Sequence, residues 1–91
     1  MQPLYSRADR VVWRHSSGGV LVLPVSGSEV VTLSGTGEDV WELLSEPHTV
    51  QALGQRLAER YAAPQATVLA ELGPVLDELS GRGVLVRTDR P

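Results

Sequence analysis

The sequence predicts a small α+β domain: a three-stranded antiparallel sheet, then three helices and a short C-terminal strand. Three observations carry that expectation. Short β-branched and aliphatic runs separated by Gly/Ser pairs fill residues 10–34. From Gly35 the hydrophobic spacing changes from two to about 3.6 residues. The apolar run "VLVRT" returns at 84–88, after Gly81 and Gly83. Ninety-one residues suit a single domain, 1–91, with its core at about 10–87 and little volume left for a deep internal active site.

The first element is "RVVWRHS" (10–16), the second "GVLVLPV" (19–25) and the third "EVVTLS" (29–34). "SGG" (17–19) and "SGS" (26–28) separate them at the spacing of tight hairpins. Pro24 cannot donate to a ladder, which places it near the end of the middle strand. In such a meander the first and third strands are edges, unless the C-terminal strand pairs with the third. Period two sets Glu29, Val31 and Leu33 on one face of the third strand and Val30, Thr32 and Ser34 on the other.

"TGEDVWELLSE" opens the helical part, with Thr36 as the expected N-cap and Glu38 and Asp39 at the positive end of the helix dipole. Pro47 stops it. "TVQALGQRLAERY" carries the stripe Val50, Leu53, Leu57 and Tyr61, capped by Thr49. The third helix, "PQATVLAELGPVLDELSG", begins at Pro64 as its first residue, with Val68, Leu72, Val75 and Leu79 centring its core stripe. Leu69 and Leu76 flank that stripe, with Gly73 between them as a notch. Gly73-Pro74 is expected to interrupt and kink the helix, because Pro74 leaves the carbonyl of Ala70 without its donor. The overall order is close to a winged helix-turn-helix.

Composition narrows the function classes. There is no cysteine, which removes disulfides, thiolate metal sites and cysteine nucleophiles. His15 and His48 lie far apart with no ligand partners at metal spacing, and Glu38/Asp39 and Asp77/Glu78 are adjacent pairs rather than converging carboxylates. The expectation is therefore a protein that is not an enzyme, with no cofactor and no metal. No N-terminal apolar run or membrane-length segment is present, so the cytoplasm is the expected address. The formal charge is −3, and residues 64–80 hold Glu71, Asp77 and Glu78 but no basic residue. A helix of that charge in the recognition position would be repelled by DNA, so nucleic acid is not an expected partner.

An open third strand is a template for another chain. The surface expected here is a groove between that strand and the third helix, floored by Leu69, Leu72 and Leu76, where an extended peptide adds to the sheet. Without peptide the same edge could pair with itself, giving a monomer or a weak dimer.

Three blocks carry a resemblance. They are "L-S-x-x-G-x-x-V-W-x-L-L" at 33–44, the "T-V…L…L…Y" helix that follows, and "L-x-x-x-G-V-L-V" at 79–86. Over about residues 10–87 the chain resembles the PqqD-like family, the RiPP recognition elements, and is most like the discrete leader-binding protein of lasso-peptide biosynthesis. It departs from the family at Ser34, often Asn there, and at Gly73-Pro74. The resemblance implies a peptide chaperone that binds the leader of a ribosomally made precursor and presents it to a separate leader peptidase, with a cyclase as a further partner. Carried over by position, Val30, Val31, Thr32, Leu33 and Ser34 contact the leader from the strand. Leu69, Leu72, Leu76, Asp77 and Ser80 contact it from the helix. The alternatives are a winged-helix transcriptional regulator or its dimerisation module, and, within the family, the chaperone of pyrroloquinoline-quinone biosynthesis.

Overall fold

The computed structural model describes residues 3–24 and 29–88. Its elements run β1 (Leu4–Arg7), β2 (Val12–Ser16), β3 (Gly19–Leu23), β4 (Val31–Leu33), α1 (Thr36–Leu43), β5 (His48–Thr49), α2 (Val50–Tyr61), α3 (Gln65–Gly81) and β6 (Leu85–Thr88). The three expected strands are β2, β3 and β4, paired antiparallel in that order. Pro24 follows directly on β3. The expected turn at 26–28, and Val25 at the end of the second run, lie outside the described residues.

Two strands go beyond the sequence expectation. β1 and β5 join β6 in a second antiparallel sheet, ordered β5-β1-β6. β1 is only "LYSR", in which Tyr5 alone is buried, and β5 has two residues. Runs this short carry too little alternation to be read locally. Their effect on topology is large, because β6 pairs with β1 and, among the described residues, leaves the second edge of β4 without a strand.

The β2–β3 hairpin shows why one glycine is required. Gly19 has φ +138°, and a β-carbon there would collide with the carbonyl oxygen of Leu33 in the neighbouring strand. Val20, Val22, Val31 and Leu33 then point into the core while Leu21, Leu23 and Thr32 face outward, the alternation expected of a half-covered sheet.

Helix α1 corrects one expectation. Its N-cap is Gly35, not Thr36, at φ 58° and ψ −128°, with no side-chain cap. A residue with a β-carbon strains in that conformation. The Asp39 amide donates to the Gly35 carbonyl at 3.1 Å to close the first turn. The Asp39 carboxylate is thereby free to tie α1 to α2, accepting from Arg60 Nη1 at 2.8 Å and from the Tyr61 hydroxyl. Thr49 caps α2 as expected, its Oγ1 accepting from Ala52 N at 3.1 Å.

Helix α3 differs from expectation at two prolines. Pro64 is the N-cap residue rather than the first helical one, and the helix runs through Gly73-Pro74 without a break. Leu72 and Leu76, on either side of Pro74, are both buried in the core, and that packing holds the two halves in one helix. At its end the Val84 amide donates to Leu79 O (3.0 Å) and the Gly83 amide to Ser80 O (3.2 Å). With Gly83 at φ 80° this is a Schellman motif, which turns the chain into β6.

One polar cluster links the two sheets. Arg7 of β1 donates from Nε and Nη2 to the carbonyl of Trp41 at 2.9 and 2.8 Å. Its guanidinium lies 4.4 Å from the Trp41 ring centroid and 4.9 Å from that of Trp13. Burial draws the Arg7 pKa below the ordinary arginine value, and the charge of Glu42 opposes that shift. No helix among the described residues is long and apolar enough to cross a membrane.

Candidate functional site

The open edge of β4 is the starting point. β3 takes one side of it, through the pairs Val20–Leu33, Leu21–Thr32 and Val22–Val31. Among the described residues no strand pairs with its other side. Beyond that edge lies α3, and between them is a cavity of about 180 Å³. Thr32, Leu33, Ser34 and Gly37 line it from the β4–α1 side, and Val75, Glu78 and Leu79 from the helix.

The helix wall is not the expected one. Leu72 and Leu76 are 0% and 1% exposed, so both belong to the core rather than to a groove floor. Leu69 is half-buried and turned toward α2, where a β-carbon on Gly54 would lie 2.5 Å from its Cδ2. A β-carbon at Gly73 would meet nothing within 4 Å, and Gly73 does not line the cleft. At roughly 100° per residue, Leu69, Leu76 and Gly73 fall to one side of Leu72 and Val75 and Glu78 to the other. The expectation selected the flank whose Leu69 packs against α2. The flank left open to β4 carries Val75, which is only partly buried, and Glu78, which is exposed.

The remaining candidates are placed as follows. Val30 is 55% exposed and lies on the outer face of the sheet, Thr32 and Ser34 are exposed, and Val31 and Leu33 belong to the core. Asp77 is exposed but does not line the cleft. Ser80 is half-buried, its hydroxyl enclosed without a hydrogen-bond partner. His15 stacks edge-on with Trp13 at 5.4 Å, and His48 Nδ1 lies 2.8 Å from the carbonyl of Glu46. Among the described residues no group of three or more His, Asp or Glu side chains is disposed to hold a metal ion.

Two further concavities matter. One, of about 170 Å³, continues along the same flank of α3 and is lined by Thr67, Val68 and Glu71 with Thr36, Tyr61 and Ala63. Sequence reading missed it, although Thr67, Glu71, Val75 and Glu78 recur at helical spacing and could have marked that flank. The other, of about 220 Å³, lies on the outer face of the sheet among Val12, Trp13, Arg14, Leu21, Leu23 and Val30. Val12 is 69% exposed, so this face is apolar and uncovered.

Comparison with known proteins agrees with this architecture. Two solved structures resemble the chain in fold. The first is TbiB1 in complex with the TbiA(beta) leader peptide, with 24% identity over 88% of this chain and 93% of that one and a TM-score of 0.78. The second is the solution structure of the PqqD truncation of Methylobacterium extorquens PqqCD, described as a stand-alone RiPP recognition element. It shares 23% identity over 92% of this chain and 89% of that one, with a TM-score of 0.74. No curated protein matches the chain. The family model for coenzyme PQQ synthesis protein D matches residues 19–85, from the glycine that opens β3 to the start of β6, and the chain therefore belongs to the PqqD family.

Proposed function

We propose that this protein binds the leader segment of a ribosomally synthesised precursor peptide and presents it to a processing enzyme. The leader adds as a strand to β4 and lies beside α3. The observation that carries this reading is the open β4 edge facing the uncovered Val75–Glu78 flank of α3 across a cavity. Support also comes from TbiB1, a similar fold solved with a leader peptide. No catalytic step is assigned to the chain.

Magnitudes say what the binding depends on. A three-residue edge offers roughly three outward-facing backbone groups, or about 3 kcal/mol net. Ordering a free peptide costs ~2–5 kcal/mol. Backbone pairing alone does not hold the peptide, so side chains seated in the cleft must supply the surplus, at ~2 kcal/mol per buried apolar anchor.

Two precursor classes are in view. The sequence resemblance to the discrete leader-binding protein of lasso-peptide biosynthesis favours a lasso precursor, with a separate leader peptidase and a cyclase as the enzymes served. The family model favours the pyrroloquinoline-quinone precursor. Presentation calls for a second surface, and the apolar outer face of the same sheet, contiguous with Val30 just before β4, is the one assigned to the enzyme. The regulator reading is not retained, because α3 carries acids and no base from Gln65 to Gly81.

The test is an amide NMR titration of the ¹⁵N-labelled chain with the leader of a precursor encoded beside it, lasso or quinone type. Saturable shifts at 31–34 and 75–79 are expected. Absence of shifts with either leader would overturn the proposal.

A further inference from the structure

Both cavities on the open flank of α3 combine an apolar wall with one carboxylate, and neither is lined by a cation. Beside β4 the wall is Leu33, Val75 and Leu79 and the carboxylate is Glu78. Further along, the wall includes Ala63 and Val68 and the carboxylate is Glu71. Between Gln65 and Gly81, α3 itself holds no basic residue. The ion partner of Glu78 is Arg82, one turn on at 3.5 Å, with side chains 65% and 56% exposed. So exposed a pair contributes little and is readily exchanged for an incoming cation.

The two glutamates are seven residues apart, about 10.5 Å along a helix. In an extended peptide, alternate positions return to the same face at intervals of about 6.8 Å. Positions two or four residues apart therefore bracket that span, within reach of long side chains. Lys and Arg suit such stations, because their methylene stems cover apolar surface while their heads stay at a charge.

We infer that the peptide taken by this cleft is cationic on its helix-facing side. It carries Lys or Arg at two positions two or four residues apart, one head at Glu78 and the other at Glu71. This rests on the strand-addition reading above and deepens it, since it names the side-chain chemistry that supplies the missing affinity. The overall charge of −3 favours the same class of partner at long range.

The experiment selects a random-peptide display library against the whole chain and, in parallel, against the E71Q and E78Q variants. Both substitutions are nearly isosteric, and circular dichroism checks that each variant is folded. The expected result is enrichment of Lys or Arg at two positions with the stated spacing on the wild-type chain, weakened at one position in each variant. A synthetic peptide of the enriched sequence should bind each variant about two- to five-fold more weakly. Its analogue with the matching base replaced by Gln should not distinguish wild type from variant. Enriched peptides with no basic preference that shift amides at 31–34 and 75–79 would overturn the charge inference and leave strand addition standing. Basic peptides that bind E71Q and E78Q as well as wild type would also overturn it. A library yielding no binder would overturn both.

Discussion

A β-carbon on Gly54 would lie 2.5 Å from Cδ2 of Leu69, so α2 and α3 meet at these two residues with no room for a side chain between them. That contact closes one flank of α3 and leaves the other facing β4. The structure therefore separates two side chains that resemble each other in sequence, Leu69 on the closed flank and Val75 on the open one.

Leu69→Ala should lower stability by about 1–2 kcal/mol, because the site is half-buried, while leader affinity stays within about twofold. Val75→Asp should cost at least as much stability, about 1–2 kcal/mol, since Val75 is also partly buried against the core, but unlike Leu69→Ala it should remove most of the binding. Chemical denaturation and fluorescence titration on the two variants measure both quantities. Peptide binding that follows Leu69 rather than Val75 would restore the groove expected from sequence.

Gly19→Ala tests the link between the hairpin and the binding edge. Its positive φ costs about 1–3 kcal/mol for a residue with a β-carbon, and the added atom pushes on the Leu33 carbonyl of β4. The melting temperature should fall by more than about 8 °C, and amide shifts should concentrate at 31–34. Gly18→Ala, where a β-carbon meets nothing within 4 Å, serves as the control and should change little.

Arg7→Leu should cost about 2 kcal/mol, from two hydrogen bonds to one carbonyl and two ring contacts, reduced because the group is only partly buried. The change frees Trp13 and Trp41 from their shared cation. Tryptophan emission should shift in the folded protein, and denaturation should move to lower denaturant. Arg7→Lys keeps the charge but loses the fork that meets the Trp41 carbonyl, so it should recover less than half of the loss.

Val12 and Leu23 lie opposite each other in the β2–β3 register and are both exposed. Val12→Glu together with Leu23→Glu should leave folding and leader affinity close to wild type. If the outer face receives the processing enzyme, leader removal in the reconstituted reaction should fall by at least about tenfold, since charges placed in an apolar contact go unpaired. Unimpaired processing would assign enzyme docking to another face.

The local rules were legible in the chain. β-branched alternation located β2, β3 and β4 and set Val31 and Leu33 on the opposite face from Thr32; the structure turns the first face inward. Thr49 and the closely spaced Gly81 and Gly83 marked one helix start and one helix end through chemistry confined to a single turn. Thr36 misled because Gly35, at its left-handed φ, turns the chain into the helix one residue earlier and leaves Thr36 inside it without a side-chain cap bond, and Asp39 is drawn off by Arg60 and Tyr61, more than twenty residues away.

The sequence by itself determined that a strand lies within residues 29–34, where the structure has Val31–Leu33, and that α3 carries an apolar stripe without a single base, because alternation, helical period and charge are local properties. Only the tertiary structure decided that no described strand takes that strand's second edge and which side of the stripe faces it. The first depends on β6 pairing with the four residues of β1 instead of with β4. The second depends on α2 packing against Leu69, which rotates Val75 and Glu78 toward β4. A helix of period 3.6 presents both flanks of its stripe alike, and only the neighbour packed against one of them tells them apart.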